Sequence, residues 1–437
     1  MQFEGRKATV MGLGHFGGGV EVAAWLARKG ARVTVTDLAD AHSLADSLPA
    51  LADLPIAAYH LAGHRDEDFR DADLVVVNPA VRPGNRFVQI ARESGAQVTT
   101  ELELFIEHCP AQIVGVTGSN GKSTTAAMID AILRADGRAC WLGGNLGGSL
   151  LSKMERIQPG DWAVLEISSF QLWRLGPGTP MPHIAVVTAC SPNHLDWHRD
   201  WADYVATKQR ILLGQTPEDA AVLNVHDPEL AAWEPLVRGR CLPPVALEEI
   251  PPLAVPGEHN RVNAACAAAA ALAAACPWTS IRKGLGEFRG LPQRLEQVAV
   301  VEGRQFYNDS AATTPESTIA ALEALRGPVW LLAGGQDKGL DYGDLGAAVV
   351  QHARGAAFFG STRELLTGWV TGLDPAFPCT DTETLADALD WCWRRSRPGD
   401  CILLSPACSS HDQFCNFRQR GEEFVERIRA LADSTRR

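Results

Sequence analysis

The sequence predicts an α/β protein of three domains: a Rossmann-like N-terminal domain, a central P-loop domain on a parallel sheet, and a C-terminal Rossmann-like α/β domain. Three observations carry this. A chain of 437 residues exceeds one ordinary core, and its length corresponds to roughly two to four domains. Short apolar strands alternate with helical stretches, which is the pattern of parallel βαβ units. Three successive blocks each open on a strand signal, and in the first two that strand runs into a glycine-rich turn. The boundaries are set at 1–103, 104–292 and 293–437.

In the first block, KATVMGLG reads as a strand ending in glycines, EVAAWLARKG as a helix with a Gly stop, and ARVTVTD as a second strand. DADLVVVNPA is a further buried strand ending at Pro79. In the second block AQIVGVT is a strand, the glycines after it a turn, and STTAAMIDAILRADG a helix ending at Gly137. DWAVLEISS and PHIAVVTAC are buried strands, and the Ala-rich run 264–276 is a tightly packed helix of small residues. In the third block PVWLLAGG, GAAFFGS and DCILLSPAC are apolar strands, each followed by a small-residue turn.

Composition narrows the function. The chain is 46% hydrophobic and 21% charged, with a net charge of −12 and no basic block, which argues against nucleic acid as its partner. No run of 18 apolar residues exists, so no membrane insertion is expected. The start MQFEGRKATV carries no signal peptide, and the 11 cysteines include no C-x-x-C. They read as reduced, mostly buried thiols of a cytoplasmic protein, and their spacing does not support zinc.

Two loops carry candidate chemistry. GLGHFG (12–17) is a G-x-G-x-x-G between a strand and a helix, with Asp37 at the tip of the next strand. Its glycines let the backbone approach a pyrophosphate, the helix N-terminus favours that charge, and Asp37 can bond a ribose hydroxyl. The motif alone fits an NAD-dependent oxidoreductase or any nucleotide diphosphate. GVTGSNGKSTT (115–125) resembles a P-loop, yet Val116 stands where the strict pattern has its first glycine. Val116 belongs to the strand, where no close approach to phosphate is needed. Gly118, Ser119, Asn120, Gly121, Lys122, Ser123 and Thr124 can form the anion nest, with Lys122 reaching phosphates and Ser123 a Mg²⁺ ion.

Glu166, in VLEISSFQLW, ends a buried strand, and His194, in SPNHLDWH, follows another. Open α/β sheets gather ligands at the carboxyl ends of their strands, so these two and the P-loop should converge on a divalent-metal site. A salt-bridged strand end for Glu166 and a packing role for His194 remain open on the residues alone. Lys208, in WADYVATKQRI, reads on its residues as a surface helix lysine.

The ordered motifs GLGHFGGG, TELELF, GVTGSNGKSTT, GGNLG, EISSFQL, PNHLDWH, PGEHNRVNA, GLPQRLE, NDSAAT, GGQDKG and SPACSSHDQFCNFRQRGEEF resemble the Mur ligase family over essentially the whole chain. The resemblance implies an ATP-dependent amide ligase that adds D-glutamate to UDP-N-acetylmuramoyl-L-alanine through an acyl phosphate, in peptidoglycan precursor synthesis. It implies UDP on the first domain, with Gly14, His15, Phe16 and Asp37 in contact, ATP on the second and the amino acid on the third. It assigns Lys122, Glu166, His194 and Lys208 to catalysis. Mg²⁺, as two ions, falls to Ser123, Glu166, His194 and Lys208, the last carbamylated by CO₂. Asn260, Asn263, Arg294 and Asp309 match contacts to ATP, Asn145 a contact to the muramoyl substrate, and Thr313, Lys338, Ser410 and Phe417 the glutamate grip. A monomer is expected.

The sequence departs from the family at Ala311, where a lysine is usual, at Thr314, where asparagine is usual, and at Leu38 and Ala39, where a polar or basic residue often holds uracil. The segment 224–256 is short and Pro-rich and is expected to lack strands the family has there. Ala311 keeps open a ligase using L-glutamate or another acceptor, or another acyl substrate. An oxidoreductase would leave the P-loop, Glu166 and His194 without a task.

Overall fold

The first sheet forms from β1 (Lys7–Met11), β2 (Arg32–Thr36), β3 (Ile56–His60), β4 (Leu74–Val77) and β5 (Gln97–Thr99). All pairs are parallel, in the order β3-β2-β1-β4-β5. β4 is the run LVVV, buried at every position, as a parallel strand covered on both faces demands. The order reverses between β1 and β4, which opens a crevice at their carboxyl ends. The computed structural model describes residues 3–13, 17–176, 178–195 and 197–435. Gly14, His15 and Phe16 lie outside the described residues.

The second sheet contains β6 (Gln112–Thr117), β7 (Cys140–Gly144), β8 (Trp162–Glu166), β9 (Ile184–Val187), β10 (Ala220–Leu223) and β11 (Arg240–Leu242). It is parallel throughout, in the order β11-β10-β9-β6-β8-β7. β6 is central, with β8 on one side and β9 on the other, so the loops leaving these three strands emerge together. The segment expected to lack strands carries β11, which pairs with β10 through Arg240, Cys241 and Leu242. The segment 224–256 thus supplies one edge strand, since three residues at a sheet edge need no apolar run to pair.

The third sheet contains β12 (Glu296–Val301), β13 (Arg304–Asn308), β14 (Val329–Gly334), β15 (Ala353–Phe359), β16 (Cys379–Thr382) and β17 (Cys401–Leu404), in the order β12-β13-β17-β14-β15-β16. Only the hairpin β12–β13 is antiparallel. The three predicted α/β blocks are therefore present as three sheets.

The chain gathers into two compact units, Met1–Pro251 with Asn263–Leu285, and Pro252–Val262 with Gly286–Arg437. The first holds two sheets, and one buried apolar cluster runs through both, from Val10 and Trp25 to Ile113 and Leu165. The second unit packs its sheet between two clusters, one around Leu331 and Leu403, the other around Leu332, Phe359 and Phe424. The Ala-rich helix is real: Glu258–Ala273 is helical, and Ala264 through Ala271 are buried. Side chains this small let neighbouring backbone approach closely. The cysteines are all free and most are buried, as expected.

Candidate active site

β6 ends at Thr117 and the helix Lys122–Ala135 starts at Lys122, so the P-loop is the four-residue turn between them. Gly118 has φ +152°, and a Cβ there would clash with Thr188 Oγ1. Gly121 has φ +82°, and a Cβ there would clash with Asn263 Oδ1. Both conformations belong to glycine, and the second contact places Asn263 against the loop. Val116 lies inside β6, paired with Glu166 of β8, so the position that fails the strict motif belongs to the strand.

The loop is fastened from beneath. Ser119 Oγ bonds Ser191 O at 2.8 Å and Tyr204 OH at 2.9 Å, and accepts from Ser191 N at 2.9 Å. Thr188 Oγ1 donates to Asn120 O at 2.5 Å. The Ser119 side chain, buried at 4% exposure, thus faces the protein, and only its backbone is placed to serve phosphate. Lys122 Nζ donates to Gly118 O and Ser119 O, both at 2.9 Å, which holds the ammonium over the loop. Thr124 is half-buried on the first helical turn.

Ser123 Oγ donates to Glu166 Oε2 at 2.6 Å, and both residues are buried. Asn145 Nδ2 donates to Glu166 Oε1 at 3.2 Å, and Asn145 N to Glu166 O at 2.9 Å. Three predicted residues from three elements therefore meet at one carboxylate. A hydroxyl beside a carboxylate is the hard-oxygen donor set that suits Mg²⁺. His194, beyond β9, has φ +55°, a left-handed conformation costly for a histidine, and its ring packs on Phe170 at 4.8 Å between centroids. Its backbone O accepts from Trp197 N and His198 N, which fixes the turn.

Lys208 corrects the reading from its residues alone. It is 1% exposed, donates to Gly118 O at 2.8 Å and lies 4.8 Å from the centre of the Tyr204 ring. Tyr204 and Lys208 sit one turn apart on the helix Trp201–Leu213, on the face turned to the P-loop. Burial, and then the nearby Lys122, push the Lys208 amine well below the usual lysine range.

On the first sheet, Asp37 accepts from Leu13 N (2.8 Å) through Oδ2 and from Ala39 N (2.9 Å) through Oδ1. It holds the loop leaving β1 against the loop leaving β2. Helix Gly18–Arg28 approaches so closely that a Cβ on Gly19 would clash with Gly12 O.

In the second unit, Asn260 is buried and donates to Pro256 O at 2.6 Å, while Arg294 is exposed. Asp309 follows β13; its Oδ1 accepts from Leu295 N (3.0 Å) and its Oδ2 from Ser405 Oγ (2.7 Å). Burial raises its pKa to about 7. Lys338 Nζ donates to Thr313 O at 3.2 Å, which joins two of the four residues assigned to glutamate. Next to the other two stands a residue the sequence reading did not single out. Arg420 is completely buried. Its Nε donates to Ser310 Oγ (3.0 Å), its Nη2 to Ser310 O (2.9 Å), and its Nη1 to Cys408 O (3.2 Å) and Ser409 O (3.3 Å). Ser310 Oγ in turn donates to Phe417 O at 2.8 Å. Arg420 thus ties the loops leaving β13 and β17 to Phe417 and to the residue before Ser410. Its signal was the QRG within the C-terminal motif, read for its order rather than for its burial. Ala311, where the family has lysine, donates its backbone N to Gln293 O at 3.1 Å.

Comparison with known proteins agrees with this arrangement. Residues 6–100 match the Mur ligase MurD-like N-terminal domain, 116–243 the Mur ligase middle domain, and 293–408 the Mur ligase glutamate ligase domain. The UDP-N-acetylmuramoylalanine–D-glutamate ligase of Roseiflexus sp. (strain RS-1) is 38% identical over 460 residues, covering 97% of this chain and 98% of that protein. The enzyme of the same description from Symbiobacterium thermophilum is 34% identical over 456 residues, covering 98% of each. Among solved structures, the UDP-N-acetylmuramate-alanine ligase of Thermotoga maritima has a TM-score of 0.63 at 18% identity, covering 98% of this chain and 100% of that one. The pseudomurein peptide ligase type C of Methanothermus fervidus has a TM-score of 0.58 at 17% identity, covering 91% and 96%. These two likenesses speak for the fold, and the sequence matches speak for the lineage: the chain belongs to the Mur ligase family.

Proposed function

We propose that this protein is an ATP-dependent carbon–nitrogen ligase that joins D-glutamate to UDP-N-acetylmuramoyl-L-alanine, in the synthesis of the peptidoglycan precursor. The observation that carries the reading is the buried Ser123–Glu166 pair beside the P-loop lysine, in a chain related along its length to D-glutamate ligases.

A carboxylate is a poor acyl donor because oxide is a poor leaving group. Transfer of the ATP γ-phosphoryl to the substrate carboxylate gives an acyl phosphate, and the glutamate amine then displaces phosphate through a tetrahedral intermediate. ADP and phosphate are released. The chain's part is to place the reactants and offset their charge. Lys122 and the backbone N–H groups of 118–123 hold the ATP phosphates, Asn263 reaches the same loop, and Asn145 serves the muramoyl substrate. Asn260, Arg294 and Asp309 contact the nucleotide, and Thr313, Lys338, Ser410 and Phe417 receive the glutamate. Lys338 supplies a positive charge and Ser410 a hydroxyl, which suits a dicarboxylate. Gly14, His15, Phe16 and Asp37 take the UDP end. The domains divide at 1–103, 104–292 and 293–437 along the same lines.

The family uses ATP with Mg²⁺. Ser123 and Glu166, with His194, would hold the metal, which neutralises phosphate charge during transfer. Two ions and a carbamylated Lys208 complete the proposal. Burial favours the neutral amine, the form that attacks CO₂, and the carbamate would add an oxygen donor where an ammonium has none. The enzyme is taken as a monomer of the cytoplasm. Among the described residues, no helix is long and apolar enough to cross a membrane.

The test is phosphate release from ATP with Mg²⁺, UDP-N-acetylmuramoyl-L-alanine and either enantiomer of glutamate. Release with D-glutamate alone is expected. Release with L-glutamate would shift the acceptor, and Ala311 would be the first residue to examine. No release with either would overturn the ligase reading.

A further inference from the structure

At the carboxyl ends of β4 and β5, lined by none of the residues assigned above, the first unit has a cleft of about 380 Å³. Its wall carries three arginines: Arg92 from the helix Arg86–Glu93, Arg174 from the helix Ser169–Arg174, and Arg210 from the helix Trp201–Leu213. Trp173 and Val98 supply apolar surface. Among the described residues none of the three guanidinium groups forms an ion pair, although the chain holds 52 acidic residues to 40 basic ones. Arg174 donates through Nη2 to Val81 O and Arg82 O, and its buried Nε has no partner. Arg210 donates through Nη1 to Trp173 O at 2.5 Å. Arg92 is exposed. Glu103 lies behind the wall, but its carboxylate is taken up by Thr99, Gly176 and Thr179.

Three like charges at one cleft repel one another, and a bound anion would relieve that repulsion. Burial, and then the Arg92 charge, lower the Arg174 pKa to about 10, the direction expected of a cation short of counter-charge. Guanidinium forks suit phosphate oxygens, and the carboxyl ends of parallel strands are where α/β sheets take ligands. The cleft volume is that of a small-ligand site. We propose that Arg92, Arg174 and Arg210 form a binding site for a phosphate group, on free phosphate or on a small phosphate ester, separate from the P-loop and from the loop leaving β1.

The test is heat unfolding of the full chain in phosphate, in UMP and in chloride, at matched ionic strength. It is run on Lys122→Ala, so that the P-loop contributes little. Phosphate or UMP is expected to raise the unfolding midpoint. Adding Arg92→Ala should weaken the apparent affinity about tenfold, the loss of one charged contact, and adding Arg210→Met as well should abolish the shift. Equal shifts with phosphate and UMP assign the site to free phosphate; a larger shift with UMP that is lost in the arginine variants assigns it to an ester. Arg92 is exposed, so Arg92→Ala should leave the fold intact, and it alone decides should Arg210→Met unfold. A phosphate-induced shift unchanged by Arg92→Ala, or no shift with either anion, overturns the proposal; UMP also meets the UDP residues of the first domain, so only the part of its shift that is lost with the arginines counts for this cleft.

Discussion

Replacing Asp309 with asparagine should make the second unit more stable at neutral and alkaline pH, although it removes a charge from a proposed nucleotide contact. Asp309 is buried, and its pKa rises from 3.8 to about 7, chiefly through burial. A pKa raised on folding gives stability that is complete below the unfolded value and is lost as pH climbs through the folded one. Here the loss runs between about pH 4 and pH 7. At about 1.4 kcal/mol per unit, three units amount to ~4 kcal/mol. The local bonds from Ser405 Oγ and Leu295 N favour the carboxylate, and burial outweighs them. Ser405 Oγ contacts Asp309 Oδ2 at 2.7 Å and Thr318 Oγ1 at 3.0 Å, and Thr318 Oγ1 donates to Ser405 O at 3.2 Å. On taking up a proton at Oδ2, Asp309 would donate to Ser405 Oγ in place of accepting from it, which frees the Ser405 hydroxyl to donate to Thr318 Oγ1. The amide of asparagine reproduces that first donor, while Leu295 N still finds an oxygen. The assay is hydrogen exchange of β13 in both proteins at pH 5 and pH 8, corrected for intrinsic rates. The stability advantage of the variant should grow by ~3 kcal/mol between the two, the loss over the upper two units of the window. A constant difference would show that Asp309 is ionised in the fold at pH 5 and would refute the reasoning.

Lys122→Ala should lower turnover at least about 10²-fold with folding unchanged, since the phosphates lose their cation; steady-state phosphate release measures it. Ser119→Ala should cost about 1–3 kcal/mol in denaturant unfolding, because Ser191 and Tyr204 lose a buried partner. Lys208→Ala should leave low activity that formate or bicarbonate partly restores, and rates insensitive to both would count against a carbamate. Arg420→Lys should raise KM for glutamate about tenfold or more while KM for ATP changes little. One ammonium cannot span the carbonyls that the guanidinium reaches. Equal changes in both constants would assign Arg420 to folding alone.

Much of this was legible in order along the chain. β1, β4, β6, β8, β14 and β17 are largely apolar runs, and such runs announce buried parallel strands. β5, β11 and β16 are short and only partly buried, so their pairing is decided by neighbours that periodicity does not see. The meeting of Ser123 and Glu166 followed from the rule that strand ends converge, whereas Asn145 came only with the family resemblance. The depth of Lys208 did not: a helix with aromatic and polar residues mixed on its faces shows no burial in its pattern. Ser119 was counted among the phosphate residues for its place in the motif, yet its hydroxyl is spent on the scaffold, a division between main chain and side chain that a motif cannot display. Arg420 was hidden for a similar reason, since its partners come from loops up to 110 residues away.

Of the acceptors around Arg420, the carbonyls of Ser310, Cys408 and Ser409 belong to the main chain, and only one is a side-chain hydroxyl. A grip on the main chain is blind to what the loop side chains are. Cys408 or Ser409 could be exchanged for residues of similar size without loosening the clamp, whereas any insertion that moved a carbonyl would open it. The acceptor site can therefore vary its lining while keeping its frame. Engineering toward a different amino acid should accordingly substitute residues in these loops and leave their lengths untouched.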